Sequence, residues 1–88
     1  MDFIEYLQIR HESYTDERPI NEKSAGQYYT RLINLQKKKI YNGEKVIDEQ
    51  MFKRIKSYYK DTTNHYPRTI NYYIEYLNYL EQVTSKKD

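Results

Sequence analysis

Residues 66–83 read YPRTINYYIEYLNYLEQV, the most continuous helical pattern in the chain. Ile70, Tyr73, Ile74, Leu77 and Leu80 fall at i, i+3, i+4, i+7 and i+10, which puts them in one apolar stripe of an α-helix. Tyr72, Tyr76 and Tyr79 form a second stripe beside it. Pro67 has a fixed φ and no N–H donor, so it suits a first helical turn, and Asn64 or His65 before it can serve as the cap. The spacing therefore predicts a helix over 66–83. A helix apolar over most of its circumference must be enclosed by other elements or offer its surplus face to a partner. The tyrosines accordingly read first as the rim of a core, with hydroxyls reaching water, and second as a contact surface.

The rest of the chain has to supply that enclosure from few apolar residues. Its 88 residues contain 38% hydrophobic side chains but twelve tyrosines and no tryptophan, and the mean hydropathy is −1.13. Tyrosine must therefore furnish much of the core. A chain of this length buries only roughly 60–65% of its unfolded surface, enough for one domain over 1–88 and not two. Without cysteine there is neither a disulfide framework nor a thiolate metal site. The opening MDFIEYLQIRHE mixes acids with apolar residues, unlike a signal peptide, and no run approaches the ~20 apolar residues of a membrane span. The expectation is a soluble cytoplasmic domain with no membrane or small-molecule partner.

Net charge is +2, unevenly spread. Residues 1–30 hold three Lys/Arg against six Asp/Glu, residues 31–60 nine against three, and residues 61–88 three against four. A basic middle of this kind points to a polyanionic partner, although a solvated lysine face produces the same pattern.

Taken in order, Asp2 can cap a first helix over about 3–14, with Phe3, Tyr6, Leu7 and lastly Tyr14 inward and Arg10, His11 and Glu12 toward solvent. TDERPIN at 15–21 reads as a loop, with Ile20 placed to staple the next helix. Asn21 caps a second helix over about 22–40, with Glu22 complementing its dipole. Ala25, Tyr28, Leu32, Leu35 and Lys39 follow its inner line, flanked by Tyr29, Ile33 and Ile40. Gln27, Arg31, Asn34 and Lys38 recur at i, i+4, i+7 and i+11 as a polar, basic outer face without acids. Gly26, in mid-helix, costs roughly 1 kcal/mol relative to Ala unless a neighbour packs closely there. YNGEKVI at 41–47 holds a turn pair but flanks too short and charged for a hairpin, so it reads as a helix connection. Asp48 then caps a third helix over about 49–60, with Met51, Phe52, Ile55 and Tyr58 or Tyr59 inward and Lys53, Lys56 and Lys60 outward. DTTNH at 61–65 is a loop, and the last residues from 85 should fray. The fold class expected is all-α, a compact four-helix bundle.

Catalytic chemistry finds no footing. His11 and His65 are the only histidines and stand in no cluster of metal-ligand spacing. Ser13, Ser24, Ser57 and Ser85 lack a nucleophile-elbow context, and two glycines make no phosphate loop. The acid pairs Asp16/Glu17 and Asp48/Glu49 fall at a loop and a helix start, where turn and dipole roles account for them. Neither a cofactor nor an enzyme acting alone is expected.

With the helices placed, the pattern resembles the N-terminal core-binding domain of tyrosine recombinases and phage integrases, a SAM-like four-helix module. FIEYL, EKSAGQYYTRLINL, IDEQMFKRI and YPRTINYYIEYLNYL carry the likeness; Ser24, Tyr28, Leu32, Ile47, Asp48, Phe52, Thr69, Ile70 and Leu77 match the family's loose helical signature. The resemblance covers nearly the whole chain. It implies a non-catalytic clamp on double-stranded DNA, of the kind mobile genetic elements use in DNA recombination, with the second and fourth helices against the duplex. Carried over by position, Lys23, Ser24, Gln27 and Arg31 on the second helix and Arg68, Thr69 and Asn71 on the fourth would touch DNA. The acid-free face adds Asn34 and Lys38, and phosphate attraction to a helix N-terminus agrees. No part of the chain matches the family's catalytic domain, so no tyrosine here takes the nucleophile's role. The alternatives are the DNA-binding N-terminal part of a nuclease, or a mobile-element adaptor or inhibitor binding a protein through Tyr72, Tyr76 and Tyr79.

Overall fold

The computed structural model describes residues 2–12, 14, 18–59 and 64–85. The expectations for 15–17, 60–63 and 86–88 lie outside the described residues. Among those described, four α-helices and no strand make a small all-α bundle. They are α1 (Phe3–Ile9), α2 (Glu22–Lys37), α3 (Glu49–Tyr59) and α4 (His65–Ser85), with a 3₁₀ turn over Arg10–Glu12 continuing α1.

Three of the four starts carry the cap that the sequence announces. The side chains of Asp2, Asn21 and Asp48 accept from the N–H groups of Glu5, Ser24 and Met51, each at 2.8 Å, satisfying donors that a helix start leaves orphaned. Before α4, Asn64 sits at φ 59, a left-handed conformation asparagine tolerates, and its carbonyl accepts from the Arg68 N–H at 3.1 Å. Pro67 falls in the first turn of α4 and is buried.

Helix α4 is the element on which α1, α2 and α3 all pack. Its Ile70 is fully buried, and Tyr73, Ile74 and Leu80 lie half-buried against a core of Phe3, Tyr6, Leu7, Ala25, Leu32, Leu35, Ile40, Tyr41, Met51, Ile55, Ile70 and Tyr76. Rings supply much of the contact. Phe3 meets Tyr73 edge-on at 5.3 Å, Tyr6 tilts against Tyr76 and Tyr79 at 5.5 and 5.1 Å, and Tyr41 meets Tyr73 edge-on at 6.0 Å. These offset and perpendicular arrangements suit the ring quadrupole.

Several boundaries and orientations depart from expectation. Helix α2 ends at Lys37, not near 40. Ile40 N–H donates to the Leu35 carbonyl at 3.0 Å and Lys39 N–H to that of Gln36 at 3.1 Å, a Schellman closure in which Lys39 holds the left-handed position at φ 57. Lys39 is therefore exposed, not on the inner line, while Ile40 and the fully buried Tyr41 fold back into the core. Helix α1 stops at Ile9 and tightens through Glu12, short of the expected 14, and Tyr14 is exposed. Phe52 is exposed rather than inward, and of Tyr58 and Tyr59 it is Tyr59 that packs half-buried against the core, beside the buried Met51 and Ile55. Helix α4 runs one residue earlier and two later than the expected 66–83.

Candidate nucleic-acid interface

Two arginine–tyrosine clusters lie side by side where α1, α2 and α4 meet. The first is internal. Phe3, Tyr6, Leu7 and Arg10 share one helical stripe, and Arg10 is turned inward with only 5% exposure, contrary to the solvent position expected for it. Its Nε and Nη2 donate to Oε1 and Oε2 of Glu75 at 2.6 and 3.0 Å, a two-pronged pair, and the Tyr6 hydroxyl donates to the same Oε1 at 2.5 Å. The guanidinium lies over the rings of Tyr14 and Tyr72, 4.7 and 4.6 Å from their centroids. Burial first, and then the bond to Glu75, push the Tyr6 phenol above its ordinary pKa. Glu75 escaped the sequence reading, yet its position signalled the role: Tyr72, Glu75 and Tyr79 stand at i, i+3 and i+7, so an acid occupies the tyrosine stripe, opposite a base on the stripe of α1.

The second cluster faces outward. Tyr28 of α2 meets Tyr72 of α4 edge-on at 5.1 Å. Arg31, one turn on, lies over the Tyr28 ring at 5.3 Å. The Tyr28 hydroxyl hydrogen-bonds the Arg68 side chain and raises its pKa further above the ordinary arginine value. Arg31 and Arg68, distant in sequence, thus both meet Tyr28, one at its ring face and the other at its hydroxyl, and among the described residues neither has a carboxylate partner. Lys23, Gln27, Lys38, Arg68 and Asn71 are exposed; Ser24, Arg31 and Asn34 are half-buried. Thr69 is the exception to the expected set. It is fully buried and its hydroxyl donates to the His65 carbonyl at 2.8 Å, a back-bond within the helix that leaves nothing for a duplex.

The tyrosine stripe of α4 also points inward. Tyr76 is buried on Phe3 and Tyr6, Tyr79 packs half-buried on Tyr6, and Tyr72, also half-buried, is held between Tyr28 and Arg10. Among the described residues no group of three or more His, Cys, Asp or Glu could hold a metal ion, and no helix is long and apolar enough to cross a membrane. Neither a protein-family model, nor a curated protein, nor a solved structure matches the chain.

Proposed function

We propose that the chain is a double-stranded DNA-binding module without catalytic chemistry of its own, related in plan to the integrase core-binding domain and gripping the duplex through α2 and α4. The observation that carries this is the meeting of Arg31 and Arg68 on Tyr28. Two cations from two helices, without a carboxylate partner among the described residues and gathered on one tyrosine, form a preorganised anchor for phosphate oxygens. Lys23, Gln27 and Lys38 extend that anchor along α2, and Asn71 along α4, giving side chains suited to phosphate and groove-edge contacts. Phosphate neutralisation of this kind releases counterions, so affinity must fall steeply with salt.

Titration into a labelled duplex of roughly 30 base pairs, followed by fluorescence anisotropy from about 50 to about 200 mM salt, tests the reading. The variant Arg31→Glu/Arg68→Glu is expected to weaken binding and to flatten the salt slope by roughly 1.8, about 0.9 for each lost contact. Unchanged affinity in that variant, or no duplex binding by the wild type at the lowest salt, overturns it.

A further inference from the structure

Helix α3 carries a basic surface that the duplex anchor does not use. Lys53, Arg54, Ser57 and Tyr58 stand at i, i+1, i+4 and i+5, on one side of the helix, and face Lys38 and Ile40 at the end of α2 across a groove of about 420 Å³. Three of its six lining residues are cationic and none is acidic. Tyr58 is 58% exposed, and the Lys38 Nζ lies 5.2 Å from its ring centroid. The ring is also braced from behind: Tyr58 tilts against Tyr59 at 5.6 Å, and Tyr59 stacks flat on Tyr66 of α4 at 3.9 Å. A braced, exposed aromatic ring among cations with no acid in the lining is the arrangement that single-stranded nucleic acid recognises, with bases stacking on rings and phosphates resting on Lys and Arg.

We infer that this groove is a second nucleic-acid site, which takes a single-stranded segment by stacking a base on Tyr58 and holding the flanking phosphates on Lys38, Lys53 and Arg54. Its volume falls within the ~300–1,000 Å³ of small-ligand sites, room for a nucleotide. In paired DNA the base faces are hidden within the stack, so an aromatic platform has value only toward an unstacked base. Ile40, the least exposed of the lining residues, gives the groove an apolar floor. Lys38 borders both surfaces, but Lys53, Arg54 and Tyr58 of α3 contribute nothing to the Arg31–Arg68 anchor, so the inference is tested on α3 alone.

The test is anisotropy of the full chain with labelled oligothymidylate and oligouridylate of about twelve nucleotides, at low salt. The shared phosphate-and-base chemistry predicts binding of at least one of them, and comparison of the two separates DNA from RNA. Tyr58→Leu is expected to weaken binding roughly tenfold while Tyr58→Phe retains it. Lys53→Glu/Arg54→Glu should weaken it further and lower the salt slope by roughly 1.4, about 0.7 per contact on a single strand. Arg31→Glu/Arg68→Glu should leave it within about twofold, which separates this site from the duplex anchor. All of these positions except Arg31 are exposed, and circular dichroism checks that each variant folds. Three outcomes overturn the inference: neither oligomer binds, Tyr58→Leu binds as the wild type does, or inorganic polyphosphate at equal charge displaces the oligomer as well as unlabelled oligomer does.

Discussion

Arg10 and Arg68 both rest against tyrosines of the α2–α4 seam, and they illustrate opposite uses of the same chemistry. Arg10 is buried, held in two-pronged fashion by Glu75 and covered by Tyr14 and Tyr72. Arg68 is exposed, held by a neutral hydroxyl on Tyr28. A carboxylate consumes a guanidinium's charge; a phenol positions it and leaves the charge available. The neighbouring clusters, linked by the Tyr28–Tyr72 contact, therefore divide into one that joins α1 to α4 through a buried ion pair and one that keeps Arg68 exposed.

The largest expected effect comes from breaking the internal cluster. Glu75→Ala removes the carboxylate that a buried guanidinium and the Tyr6 hydroxyl share, and urea denaturation should show a loss of roughly 3 kcal/mol, a large share of the ~5–15 kcal/mol of an ordinary domain. Arg68→Gln, by contrast, should stay within about 0.5 kcal/mol of wild type. Equal effects at the two positions would erase the division drawn between them.

A pH series sharpens it. Tyr6, Tyr41, Tyr59 and Tyr76 are all pushed above the ordinary 10.0, chiefly by burial. Each keeps its proton in the fold at a pH where the unfolded chain has already lost it, so the unfolded state binds fewer protons and stability must fall. The contribution is intact below pH 10 and is lost as pH rises beyond it, at no more than about 1.4 kcal/mol per pH unit for each such tyrosine. Urea midpoints should be flat from about pH 7 to 9 and drop above 10, with a shallower drop in Tyr6→Phe. An unaltered slope in that variant would remove Tyr6 from the cluster's energetics.

The smallest effect concerns the open side of α2. A Cβ at Gly26 would meet nothing within 4 Å, so no close approach of a neighbouring helix requires glycine there. Gly26→Ala should stabilise the fold by about 1 kcal/mol through helix propensity alone, read as a higher urea midpoint. A destabilised variant would mean that this surface of α2 is more enclosed than the outward-facing Tyr28–Arg31–Arg68 cluster next to it permits.

Much of the bundle was legible because it rests on local rules. Periodicity placed the helices, Asp2, Asn21 and Asp48 announced three starts through side chains that cap within three residues, and the 66–83 stretch identified the helix all others pack on. The ends were harder. Lys39 occupies a left-handed position that glycine usually marks, so the close of α2 carried no compositional signal. The candidate interface was half legible. Arg31 could be nominated from a helix face, whereas Arg68 came with the integrase resemblance, which brought Thr69 with it, since a positional pattern cannot separate a first-turn hydroxyl turned to solvent from one bonded back to its own helix.

The sequence by itself determined the helices, their caps and the reliance on tyrosine, because each depends on residues a few positions apart along the backbone. Only the tertiary structure decided which charges cancel. Arg10 and Glu75 are separated by sixty-five positions, and Tyr28 joins Arg31 to Arg68 across a helix seam. Charge pairing depends on distance in space and on burial, and neither is written in the order of the residues.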